Sequence, residues 1–129
     1  MEAGETRDWF ADFLDAQNRR DLEAVRGFLD PGMRRAHLPA GAEAWIADYA
    51  ELLHAFPDWQ WRRIQLIVED DRLAVHVRGS GTHTGTYRHL SATRRRVNIA
   101  AFAIYRLSHG RIVEASGTDD AEQIRALLV

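Results

Sequence analysis

Cysteine is absent from these 129 residues, which removes disulfides, thiolate nucleophiles and Cys-based metal sites and leaves a reducing compartment open. No apolar run approaches the roughly 20 residues that span a bilayer. The start, MEAGETRDWF, lacks the basic-then-apolar pattern of a secretory leader, so the expected setting is the cytoplasm. Charge of one sign is also scarce: the formal net charge is −2, which gives no footprint for nucleic acid or an anionic membrane. None of the six histidines forms a helical HxxxH or HExxH pair, so no metal is expected. GSGTHTG has the wrong glycine spacing for a dinucleotide fingerprint and no helix after it. A nucleophile elbow is missing as well, and with it any warrant for acyl-enzyme chemistry. There is no internal repeat, linker or low-complexity segment. One domain spanning 1–129, 46% apolar and 28% charged, remains.

What is present changes period along the chain. Trp9, Phe10, Phe13, Leu14 and Gln17 recur at three and four, predicting an amphipathic helix from Thr6, a candidate cap, to about Asn18. Leu22, Val25, Phe28 and Leu29 predict a short second helix from near Asp21 that Pro31-Gly32 stops. Trp45, Ile46, Tyr49, Leu52, Leu53 and Phe56 mark a third, from about Ala42 to Ala55, ended by Pro57. From Trp59 the period becomes two, with strands expected near Trp59–Glu69, Arg72–Thr82, Val97–Leu107 and Arg111–Thr118. Asp70-Asp71 and His109-Gly110 are short enough to turn antiparallel hairpins, and TRRRV at 93–97 reads as a solvated hairpin end. In NIAAFAIY, Ile99, Ala101, Ala103 and Tyr105 fall on one face and Ala100, Phe102 and Ile104 on the other. Both faces need cover. Helices cover one, and a second subunit is expected on the other, giving at least a homodimer. Helices followed by strands argue an α+β domain, its helices packed on a mostly antiparallel sheet.

The motifs run in order: Phe56-Pro57-Asp58 before the first long strand, Asp71 to Val75, the GTHTG turn from Gly81 to Gly85, Thr93 to Val97, Gly110 to Glu114, and Asp120 before the last helix. In that order and spacing the chain resembles the SnoaL-like polyketide cyclases over most of its length. His37 lies near the histidine frequent after that family's second helix. The resemblance implies a strongly curved, cone-shaped α+β barrel with an internal apolar pocket, the fold of ketosteroid isomerase and limonene epoxide hydrolase. It further implies cofactor-independent aldol closure of a polyketide ring, with Asp120 in the acid/base position. Where the family usually has a tryptophan, Ser116 stands beside Gly117, which implies a reshaped pocket.

Asp119 and Asp120 each match a capping box, with Glu122 and Gln123, and Ile124, Leu127 and Leu128 give the last helix its apolar face. If Asp119 caps, Asp120 is left in the first turn and free to act as a base; if Asp120 caps, backbone N–H bonds depress its pKa. His37 has two readings, an assistant that bonds a substrate carbonyl or a structural donor. In a cone the first and third helices face the pocket, so Trp9, Phe13, Trp45 and Tyr49 are candidate walls for a planar ligand. His83, Asn98, Phe102 and Ser116 complete the candidate substrate-binding set, against a turn-stabilising reading of His83 and a solvent or interface reading of Asn98 and Arg78. The leading expectation is a cyclase or isomerase of natural-product biosynthesis acting on an aromatic or polyketide-like small molecule. Epoxide opening, using Arg78 with Asp120 and another carboxylate, and a non-catalytic binding or assembly protein are the alternatives.

Overall fold

A computed structural model describes all 129 residues. Helix α1 (Ala3–Asn18) starts three residues before the expected Thr6, because Glu2 occupies the cap and Glu5 reaches back to it. Thr6 is instead buried in the first turn and donates to the Glu2 carbonyl. The Asp21 carboxylate accepts from Ala24 N–H and starts α2 (Leu22–Gly27). Helix α3 (Ala42–Ala55) carries the expected apolar stripe, and Phe56-Pro57 ends it.

The chain between α2 and α3 departs from expectation. Pro31-Gly32 does not sit in a turn but inside a strand, β1 (Leu29–Arg35). This strand lies at the edge of the sheet, and its register slips between Leu29 and Arg34, so Pro31 falls where no ladder N–H is required. The other strands lie where they are expected: β2 (Gln60–Glu69), β3 (Arg72–Thr82), β4 (Arg96–Ser108) and β5 (Arg111–Gly117), followed by α4 (Asp120–Leu128). The order is β1-β5-β4-β3-β2, with β1 parallel to β5 and every other pair antiparallel. His109 (φ 52°) and Gly110 (φ 74°) both take left-handed backbone, as the two-residue turn between β4 and β5 requires. The sheet stays open, with β1 and β2 as edges, and does not close into a barrel.

On the inner face Val97, Ile99 and Ala101 are buried beneath α1, α3 and α4. Phe10, Phe13, Val25, Leu29 and Met33 fill one half of the core; Phe56, Trp59, Ile124 and Leu128 fill the other. The outer face keeps Ile67, Phe102 and Ile104 half exposed. No helix is long and apolar enough to cross a membrane.

Candidate functional site

Between the inner sheet face and helices α1, α3 and α4 lies a cavity of about 680 Å³. Helices supply Phe10, Leu14, Trp45, Tyr49 and Leu52; the sheet supplies Trp61, Val75, Val77, Ala101, Ala103, Tyr105 and Ala115. The three alanines leave the space that larger side chains would fill. Register sets who shares a face: Arg35 pairs Ala115, and Ala115 pairs Tyr105, so guanidinium, methyl and phenol form one row across β1, β5 and β4. The next row, Arg34, Glu114, Arg106 and Arg72, lies on the outer face, where a smaller cavity of about 260 Å³ opens.

At the start of α4 the two carboxylates divide the work. Asp119 accepts from Glu122 N–H at 3.0 Å and is the cap. Asp120 is the first residue of the helix, lines the cavity, and accepts a hydrogen bond from the Thr118 hydroxyl at 3.0 Å. Burial pushes its pKa up to about 6, opposed by the Thr118 bond and assisted by the neighbouring Asp119 charge. Tyr105 and Tyr87 share the cavity. Both phenols are pushed up, first by burial and also by the Asp120 charge, Tyr87 to about 12. Tyr49 is different, since its hydroxyl is committed to the Gln17 carbonyl at 3.1 Å.

The cavity brings together Asp120, His37, Trp45 and Tyr49. His37 sits on the turn after β1 with φ 61°, exposed, and its ring makes no hydrogen bond within the protein. Phe102 and Ser116 border the cavity from the sheet, but Phe102 is half exposed and stacks on the ring of His76 at 4.2 Å. Ser116 also borders the smaller outer cavity. Four expected residues lie elsewhere. The Trp9 indole N–H is tied to the Gly110 carbonyl at 2.8 Å, at the β4–β5 turn. Phe13 is fully buried one layer back, supporting Trp45 and Tyr105 with ring centroids 5.9 and 6.1 Å away. Asn98 accepts from Arg78 Nε on the outer face, which also removes Arg78 from any epoxide-opening set in the cavity.

His83 is fully buried beneath the GTHTG turn, stacked on Phe56, with Nδ1 accepting from Thr93 N–H at 3.1 Å. That bond assigns the ring proton to Nε2. His83→Ala is therefore expected to destabilise the fold by about 2–4 kcal/mol while leaving ligand affinity unchanged. Denaturant titration beside tryptophan-fluorescence binding checks this; a binding defect in a stable variant would put His83 in the site.

Sequence reasoning missed Arg35. Its side chain is 6% exposed, donates from Nε to the Pro39 carbonyl and from Nη1 to Asp48, each at 2.9 Å, and leaves Nη2 buried without a partner. The missed strand hid it, since only alternation along β1 would have turned this residue inward. Tyr105 and Trp61 were readable as inner-face residues but not as lining ones, because a wall of a cavity and a wall of a core share one pattern.

The sequence model of the SnoaL-like polyketide cyclase family matches residues 5–127. No curated protein matches. Among solved structures, TsrD from Streptomyces laurentii superposes with a TM-score of 0.87 at 20% identity, covering 99% of this chain and 97% of that one. AclR from Streptomyces galilaeus, described as a candidate hydroxylase, gives 0.86 at 22% identity over 97% and 96%. IdmH from Streptomyces antibioticus, described as a candidate polyketide cyclase, gives 0.80 at 24% over 95% and 96%. At these identities the likeness shows a shared fold.

Proposed function

Because this chain belongs to the SnoaL-like polyketide cyclase family, we propose that it is a cofactor-independent cyclase that closes a ring of a polyketide-like substrate by an intramolecular aldol reaction in the cytoplasm. The observation that carries this reading is Asp120: a cavity carboxylate freed from capping by Asp119, with its pKa raised to about 6. Such a group is a base at neutral pH yet strong enough, once protonated, to return the proton. Asp120 removes a proton from a carbon between two carbonyls; the enolate carbon bonds to a second carbonyl carbon in the same molecule; that carbonyl's electron pair moves to oxygen, which takes the proton back. No atom is lost, so the product is an isomer. Tyr105, in the same cavity and felt by the Asp120 charge, is the hydroxyl donor for the developing alkoxide in this scheme, with His37 assisting at the mouth. Trp45 and Trp61 offer flat apolar surface to an aromatic substrate.

The test is incubation with an aromatic polyketide carrying an unclosed β-dicarbonyl arm, followed by chromatography and mass spectrometry for a product of unchanged mass. Absence of any isomer, with the substrate shown to bind, would remove the cyclase reading and favour a binding protein.

The working unit in this proposal is a homodimer joined through the outer sheet face. Ile67, Phe102 and Ile104 are 50–56% exposed there. Ile67 and Ile104 both pair with Ala74, so they form one apolar row. Ile67→Glu with Ile104→Glu is expected to convert dimer to monomer without unfolding, as read by sedimentation velocity. A wild type that sediments as a monomer at micromolar concentration ends this part of the proposal.

A further inference from the structure

The outer face of the sheet carries one unbroken charged row. Cross-strand register aligns Glu69 on β2 with Arg72 on β3, Arg72 with Arg106 on β4, Arg106 with Glu114 on β5, and Glu114 with Arg34 on β1. Leu66 is buried on the inner side and Val68 packs on the core, so alternation turns Glu69 outward with the others. From β2 to β1 the signs run minus, plus, plus, minus, plus. Arg106 and Arg34 hold Glu114 and keep its carboxyl below the usual range. Glu69 and Arg72 stand directly opposite each other, yet neither takes part in an ion pair within the protein. Arg72 and Arg106, also directly opposite, repel.

Reversed about β4, this row is close to its own complement. When a second copy lies face to face with the two-fold axis along β4, each strand meets the one equally far on the other side. Glu69 then faces the partner's Arg34, and Arg72 faces the partner's Glu114. Only Arg106, on the axis, meets its own kind, and it keeps its own Glu114. The next row is apolar, Ile67, Ala74 and Ile104, and the axis sets Ile104 and then Phe102 against themselves. Face-to-face sheets lie about 10 Å apart, a gap that an arginine and a glutamate reaching from opposite sides close. The other aligned packing, with the axis across the strands, fails on sign. It lays the charged row on the far end of the second sheet, where Arg62 stands opposite Arg78, Arg96 follows on β4, and Asp58 is already held by Arg96. Arg72 and Arg106 would face guanidinium groups, and only Glu69 would find an opposite charge.

We propose that this face docks a second copy of the chain in one orientation, strands parallel across the interface and the two-fold axis along β4, and that contacts of Glu69 with the partner's Arg34 and of Arg72 with the partner's Glu114 set it. The inference rests on the outer-face dimer proposed above and goes beyond it. An apolar row supplies attraction without direction, whereas the charged row fixes which way round the second subunit sits. The cavities lie on the inner faces, so each subunit keeps its own site on the side away from this contact.

Glu69→Arg and Arg34→Glu, made separately in the full chain, are the two components of a mixing experiment read by sedimentation velocity. Alone, each variant sets like charges against each other at two symmetry-related contacts and is expected to dimerise at least about tenfold more weakly than wild type. Mixed one to one, they put arginine against glutamate at both contacts, so a heterodimer is expected at concentrations where each variant alone is monomeric. Added salt is expected to weaken the wild-type dimer, because it screens attraction; like charges in contact would make salt tighten it. Arg34 also holds Glu114 in its own chain, so Arg34→Glu is checked for folding by circular dichroism. Glu69 has no ion pair to lose in the monomer, so Glu69→Arg alone and the salt dependence carry the test if the other variant does not fold. A wild-type dimer that Glu69→Arg leaves within about twofold, a mixture that associates no better than its components, or a dimer that salt tightens overturns this orientation. A wild type that is monomeric removes the dimer itself. A dimer that the paired isoleucine substitutions break and the charge reversals leave intact keeps the outer-face contact and rejects this register.

Discussion

Replacing Asp120 by Asn is expected to lower turnover by about 10²- to 10⁴-fold, the usual span for removing a general acid or base. The amide keeps the size and the acceptor that Thr118 bonds at 3.0 Å, so the cavity should keep its shape and substrate binding should persist. The wild-type profile of kcat/KM should climb through about pH 6 as Asp120 ionises, not near the roughly 4 of an unperturbed aspartate. Stability should move the other way. The folded pKa lies above the unfolded value, so the fold favours the protonated group; that contribution is fully present below about pH 4 and is lost as pH rises through about 6. Asp120→Asn should then be more stable than wild type by about 3 kcal/mol at pH 8 and show no gain at pH 3.5. Turnover assays and thermal melts at both pH values check the two halves together. A variant that keeps full activity removes Asp120 as the base. Lost activity without stabilisation at pH 8 would mean that its carboxylate is better solvated than the cavity geometry implies.

This trade of stability for reactivity was partly legible in the sequence, and the reason is local. Two adjacent carboxylates compete for one cap, and the loser must go somewhere; the Asp-x-x-Glu spacing named both contenders, and the geometry awards the cap to Asp119. The long elements were legible for the same kind of reason. The α3 stripe and the β3 and β4 alternations each repeat one period over ten or more residues, which no turn signal interrupts. β1 was not, because Pro31-Gly32 is a turn signal in every local respect and is overruled only by an edge position and a register slip that arise from pairing with β5, some 80 residues away. Losing β1 lost Arg35 with it. Rings were the other weakness: Trp9 and Phe13 on α1 have the same spacing as lining residues, and only the position of the β4–β5 turn and of Trp45 decides that they lie behind the wall.

Gly117 is the position where a single methyl group should do most damage. A Cβ there would stand 2.1 Å from the Phe102 carbonyl oxygen and 2.9 Å from Ala103 Cα, both backbone atoms of β4 that cannot swing away. Gly117 pairs with Ala103 at the last rung between β4 and β5, so the absence of a side chain is what lets the strands stay together to their ends. Just beyond this rung, Thr118 N–H donates to the Phe102 carbonyl at 2.9 Å. Phe102 N–H donates to the Thr118 hydroxyl at 3.1 Å, and that hydroxyl donates to Asp120 at 3.0 Å. The close approach at Gly117 therefore holds the hydroxyl that opposes the burial-driven rise of the Asp120 pKa. Gly117→Ala is expected to cost about 2–4 kcal/mol and to shift the acid limb of the pH–rate profile to higher pH, because strands forced apart withdraw Thr118 from the carboxylate. Thr118→Val separates the two effects: it removes the hydroxyl without the clash, so it should shift the profile in the same direction at a smaller cost in stability. If Gly117→Ala melts with the wild type, β5 can yield at this rung and the link from strand spacing to Asp120 fails. If it is destabilised but its profile is unmoved while that of Thr118→Val shifts, the clash is absorbed on the far side of β5 and the relay from Phe102 to Asp120 is sturdier than the rung that precedes it.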